Sequence, residues 1–165
     1  MTGPTTSLQE ALTREHHEVD AAVEAFVEDQ AHGRVDPSGV RQALLALRRH
    51  IYLEEEVVFP PIQRAGLVMP VLVMLREHGE LWRTMGRLEG LLDSPGGSEE
   101  SGGTQDLLAT CQDLLAQLER HNSKEEPVVY PHVDSDLSAD EQTALAELLE
   151  SGTTPPGWTC QHAAG

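Results

Sequence analysis

The strongest constraint on this chain is that it repeats itself. REHHEV (Arg14 to Val19) matches REHGEL (Arg76 to Leu81), and HIYLEEEVVFP (His50 to Pro60) matches HNSKEEPVVYP (His121 to Pro131). His78 follows His16 by 62 residues and His121 follows His50 by 71, so the nine-residue difference falls between the matched motifs. One two-helix unit occurring twice is the pattern of an internally duplicated antiparallel bundle. The duplication pairs His16 with His78, His50 with His121, Glu54 with Glu125, Glu55 with Glu126 and Phe59 with Tyr130.

Apolar spacing places the helices. Leu8, Leu12, Val19, Val23, Phe26 and Val27 recur at helical intervals, predicting a first helix from Ser7 to about Ala31. A second begins near Asp36-Pro37-Ser38 and runs through Leu44, Leu47, Ile51 and Glu54, until Pro60-Pro61 makes continuation costly. A third runs from Pro70 to about Asp93, and residues 94–104 read as a flexible polar linker. A fourth passes through Leu107, Leu114 and Leu118 into His121 and Glu125, its end disturbed by Pro127 and Pro131. Ser138 with Glu141 has the form of a capping box, opening a short helix to about Glu150. Aromatics are only 4% of the chain, and the apolar residues are mostly Leu, Val and Ala, which suits helices better than a β-sandwich. The expected architecture is all-α, an antiparallel four-helix bundle with a short fifth C-terminal helix. It forms one domain over residues 1–150, followed by a flexible tail over 151–165.

Charge removes two classes of partner. Eleven basic and 28 acidic side chains give a net charge of −17, a field that repels a phosphate backbone or an anionic membrane surface. Neither nucleic acid nor membrane is expected as a partner. No apolar run approaches the ~20 residues that span a bilayer, and the N-terminus lacks the form of a secretory signal, so a cytoplasmic protein is expected. Cys111 and Cys160 lie in different surroundings with no second Cys at ligand spacing, so both are expected as free thiols.

The repeat also sorts the eight histidines. His17 matches Gly79, His132 matches Pro61, and His32 and His162 match nothing, which leaves four. Residues four apart share one helix face, so His50 with Glu54 and His121 with Glu125 can each aim at one point. A single HxxxE is commonplace on a solvated face, and a single His is more often a satisfied core or surface residue. Both motifs recurring in matched apolar frames, where an unpaired imidazole is costly, point instead to metal. Imidazole with carboxylate suits Fe, Mn, Co, Ni or Zn, and bundles hold such ions between inward side chains with bridging carboxylates. The pseudo-twofold assigns one metal to His16 and His50 and the other to His78 and His121, bridged by Glu54 and Glu125. Glu55 and Glu126 read equally as acceptors behind the ligands or as solvated carboxylates. Phe59 and Tyr130 read as packing, and Met74 and Trp82 as an apolar wall beside the site.

At these residues the chain resembles the hemerythrin-like family of HHE cation-binding domains, over about residues 7 to 133. The resemblance implies a four-helix bundle around two Fe ions with an oxo or hydroxo bridge, with Zn or Mn as substitutes. It carries the family's ligands onto His16, His50, Glu54, His78, His121 and Glu125. Two departures follow from the same comparison. Oxygen-carrying hemerythrins have a further His where this chain has Met74, and their fourth helix reads HxxxxD where this one reads HxxxE. With two His per metal, both ions are expected to keep exchangeable positions. That favours redox chemistry on a small oxidant such as O2, peroxide or nitric oxide, including catalase-like turnover, over reversible oxygen carriage. Iron or oxygen binding, sensing or storage without turnover is the alternative, and a purely structural metal the third.

Overall fold

The computed structural model describes residues 6–34, 36–94 and 103–165. Its main helices are α1 (Leu8–Ala31), α2 (Ser38–Leu53), α4 (Val68–Asp93) and α5 (Gly103–Val128), with α3 (Phe59–Arg64), α6 (Pro131–Asp136) and α7 (Ala139–Ser151) shorter. The fold is an all-α antiparallel four-helix bundle. α1 packs against α2 and α5, and α4 packs against α5 and α2. Capping boxes open α1 at Ser7–Glu10 and α7 at Ser138–Glu141, each satisfying backbone donors that a helix start leaves free. Most of the segment expected as a linker lies outside the described residues, and its last two positions already belong to α5.

The prolines do not end the second helix as expected. From Glu54 to Val58 the helix widens into a π turn, in which the Phe59 N–H reaches back to the Glu54 carbonyl. The wider turn resets the hydrogen-bond register, so Pro60 and Pro61 fall in the first turn of α3, where a missing N–H costs little. The fourth helix repeats the device. Tyr130 N–H bonds the Glu125 carbonyl at 3.1 Å, and Pro131 opens α6, a helix that the sequence pattern did not suggest. Both wide turns therefore hang on the backbone of a paired glutamate.

Two apolar clusters fill the bundle. One joins Val19, Val23 and Phe26 of α1 to Leu44, Leu47 and Ile51 of α2, with Leu81, Met85 and Leu88 of α4 and Leu114 and Leu118 of α5. The other gathers Leu12, Leu53, Val58, Phe59, Met74, Leu75, Tyr130 and Leu145. Between them lies a buried polar layer, His16, His50, Glu54, His78, His121 and Glu125. Among the described residues, no helix is long and apolar enough to cross a membrane.

The segment after α7, expected as a flexible tail, is instead packed. Cys160 is buried in the first cluster, and Trp158 stands edge-on to both Tyr52 and Trp82. Trp82 was expected beside the polar layer; its contacts are with Trp158 and with Arg48, whose guanidinium lies 4.3 Å above its ring. Arg83 donates to the His162 carbonyl at 2.8 Å, and a Cβ on Gly79 would collide with that same carbonyl. The tail was illegible because its anchors are spread over α2, π turn and α4 rather than along itself. Gly79→Ala is expected to lift the segment off α4 while leaving the bundle folded. A red-shifted Trp emission with unchanged helical circular dichroism checks this. Both cysteines are free and buried.

Candidate metal centre

All six residues singled out from the repeat come together. They form two groups that share both carboxylates, His16, His50, Glu54, Glu125 on one side and Glu54, His78, His121, Glu125 on the other. In each, the possible ligand atoms lie within 4.8 Å of one another. His16 and His78 come from α1 and α4, His50 and His121 from α2 and α5, and the glutamates stand where the helices widen. Glu54, His78 and Glu125 are completely inaccessible.

Four of the inward-facing atoms lack ordinary partners. Glu54 Oε1, His78 Nε2 and both Glu125 oxygens are buried without a hydrogen bond. They are not far from other polar atoms. His78 Nε2 lies 3.3 Å from Glu54 Oε1, and Glu125 lies 3.2 Å from both His16 Nε2 and His121 Nε2, but out of hydrogen-bonding alignment. Lone pairs that converge on a shared point rather than on one another fit a cation held between them, because orphaned buried polar groups are otherwise costly.

The outward-facing nitrogens are all held by carboxylates. His16 Nδ1 pairs with Glu126 at 2.8 Å and His78 Nδ1 with Glu55 at 2.7 Å. His50 Nδ1 pairs with Glu15 at 2.9 Å and His121 Nδ1 with Glu77 at 3.0 Å. Each Nδ1–H donating to a carboxylate leaves the Nε2 lone pair available to a cation and raises its basicity. Glu55 and Glu126 thus act through the histidines and are not merely solvated. Glu15 and Glu77 went unread, although the signal was present: each precedes a paired His, in the same EH dipeptide of both halves. Exchanging Glu15 or Glu77 for Gln is expected to weaken metal affinity by roughly 10–100-fold, the usual cost of such a partner, as measured by chelator competition.

Tyr130 corrects the expectation of simple packing. Its hydroxyl donates to Glu54 Oε2 at 3.0 Å and lies 2.9 Å from His16 Nε2 and 3.0 Å from His50 Nε2. Burial and the Glu125 and Glu54 charges push its pKa well above 10, so it remains a phenol. Its repeat partner Phe59 stacks on His78 with ring centroids 5.4 Å apart and carries no hydroxyl. Met74 is buried in the apolar cluster with Phe59, and His17 is exposed, as the repeat requires.

Charge within the layer is strongly coupled. Burial alone would lower the pKa of His50, but the Glu54 charge and the hydrogen bond with Glu15 outweigh it and raise it to about 10. For His121, burial is outweighed by the charge of Glu125 and the hydrogen bond with Glu77, again reaching about 10. Burial would raise Glu125, yet His121 and His16 hold it well below the carboxylate range. The metal-free chain therefore carries protons on His50 and His121 at neutral pH, and a metal must displace both, since it takes the lone pair of neutral imidazole. Raising pH removes that competition. Apparent affinity for each ion is expected to rise by about tenfold per pH unit between pH 6 and 8, one proton being released from His50 or His121 as each ion binds. Titration against a chromophoric chelator at several pH values checks the slope.

No curated protein and no solved structure matches the chain. A family model described as hemerythrin HHE cation binding domain matches residues 7–133, a span that takes in the four long helices and every member of the buried polar layer and stops short of α7 and the tail. With that match over most of its length and buried His and Glu groups of the required kind, the chain belongs to the hemerythrin HHE cation-binding domain family.

Proposed function

We propose that the chain holds two iron ions, one with His16 and His50 and one with His78 and His121, with Glu54 and Glu125 bridging, and that this centre reacts with a small oxidant such as peroxide, O2 or nitric oxide. The observation that carries the reading is the pair of His2Glu2 groups with both carboxylates in common. One shared carboxylate pair between two His pairs suits two ions roughly 3.5–4 Å apart. When bound, the irons supply Lewis acidity and one-electron redox capacity.

The chain's own residues supply the rest. The two apolar clusters keep water from the layer and strengthen every electrostatic contact inside it. Glu15, Glu55, Glu77 and Glu126 fix the four imidazoles in one tautomer and orientation. Tyr130 holds a proton at its hydroxyl, within 3.0 Å of the ligand nitrogens of His16 and His50, so a proton donor faces one half of the centre and a phenyl ring the other. A donor at that place suits the reduction of an O–O bond, which needs protons as well as electrons, and is superfluous for a metal that only staples helices.

The test is turnover of two peroxides to O2 and two waters by iron-loaded protein. O2 release above that of free iron, reduced in Tyr130→Phe with metal content unchanged, is the expected result. Absence of O2 release would remove the catalase-like version. A spectrum that then changes reversibly with O2 would favour sensing or storage.

A further inference from the structure

The duplication lets each face of the bundle be compared with its repeat partner, and one pair of faces differs. The tail covers the α2–α4 groove, where it meets Gly79, Trp82, Tyr52 and Glu55. Gln161 N–H donates to Glu55 Oε1 at 2.8 Å, while the other oxygen of Glu55 holds His78. The repeat carries these four positions onto His17, Asp20, Ser123 and Glu126, all on the α1–α5 side. There they line an open groove of about 560 Å³. The Glu126 side chain is 31% exposed, against 5% for Glu55.

That open groove cannot take the tail in its turn. Asp20 and Ser123 replace the aromatic pair that grips Trp158, and His17 stands where docking needs the bare backbone of Gly79. Its lining is instead anionic, with Asp20, Glu24, Glu119 and Glu126. Asn122, 7% exposed, also lines it, and its Oδ1 is buried without a hydrogen-bond partner. Carboxylate and amide oxygens along an open groove are ligands suited to a hydrated divalent cation. His16 joins groove to centre, with Nδ1 on Glu126 and Nε2 3.2 Å from Glu125.

We propose that divalent cations load and leave the centre through the α1–α5 groove, past Glu126 and His16, because the C-terminal segment closes the equivalent α2–α4 groove. The proposal rests on the two-metal reading above. It makes the two halves kinetically unequal although their ligands are equivalent. The groove carboxylates raise the local cation concentration, and their effect falls with ionic strength.

Stopped-flow uptake of Co(II) by metal-free protein, followed by Co(II) absorption, separates the route from the site. The triple variant Asp20→Asn, Glu24→Gln, Glu119→Gln alters no residue of the buried layer. It is expected to reach the same two Co(II) per chain but roughly tenfold more slowly at low salt, with the difference shrinking as salt is added. Adding Trp158→Ala, which frees the α2–α4 groove, is expected to restore much of the lost rate. Wild-type uptake rates in the triple variant overturn the proposal, and so does a Trp158→Ala addition that restores nothing. A wild-type chain that takes up no Co(II) at equilibrium overturns the two-metal reading itself, and the route with it.

Discussion

Replacing either Glu54 or Glu125 with alanine is expected to leave the purified chain nearly free of metal, while His17→Ala keeps its full complement. Both carboxylates belong to both groups, so in the proposed two-metal centre a single substitution takes a donor from each ion at once. Losing a carboxylate that merely supports a ligand His costs roughly 10–100-fold in affinity, and losing a shared bridge is expected to exceed about 100-fold. The damage extends to the protein. Glu54 lies 3.4 Å from His50 Nε2 and 3.3 Å from His78 Nε2, so its loss leaves two buried imidazoles without the carboxylate that faces Nε2. His17 is exposed and lies outside both groups, which makes it the matched control. Metal content by elemental analysis checks the pair. Equal content in Glu54→Ala and His17→Ala would show that the duplication had been misread.

The second large effect is thermal. Removing metal is expected to lower Tm by roughly 10 °C. A ligand present at about a thousand times its Kd stabilises the folded state by ~4 kcal/mol, and each kcal/mol shifts Tm by about 2–4 °C in a domain of this size. The cause is local. Without a cation, the layer sets Glu54 and Glu125 facing each other in a medium that screens their repulsion poorly, balanced only by protonated histidines. Melting in the presence and absence of chelator gives the comparison. Identical curves would mean that the layer is satisfied without metal.

How much of this was legible in the sequence depended on whether the signal was local or repeated. Helix positions were legible because α1, α2, α4 and α5 each carry an apolar stripe at helical spacing, and the six-residue layer because each member has a partner one repeat away. Glu15 and Glu77 were equally repeated, yet a carboxylate beside a histidine on a helix points away from it in a naïve reading. Each reaches instead the His of the neighbouring helix, Glu15 that of α2 and Glu77 that of α5. The π turns were hidden because Pro60-Pro61 and Pro131 are ordinarily breakers, and only a widened turn lets the chain pass them. Tyr130 was misjudged for a related reason. That turn changes which side of the helix its hydroxyl faces, and Phe59 at the equivalent position offered no polar precedent.

The departure from exact duplication carries as much information as the match. His17 against Gly79 first served to set one histidine aside. In the folded chain the same difference decides which groove the C-terminal segment can cover. Tyr130 against Phe59 similarly places a proton donor at one half of the layer alone. The buried layer is symmetric in its histidines and glutamates and asymmetric in what surrounds them.

The central claim is that the two overlapping His and Glu groups hold a pair of irons. Its most direct measurement is elemental analysis combined with the optical spectrum of protein purified from iron-rich medium. The account predicts close to two irons per chain with near-ultraviolet absorption from a bridged ferric pair, lost on reduction and chelation. A colourless protein, or one holding a single tightly bound zinc, would contradict it.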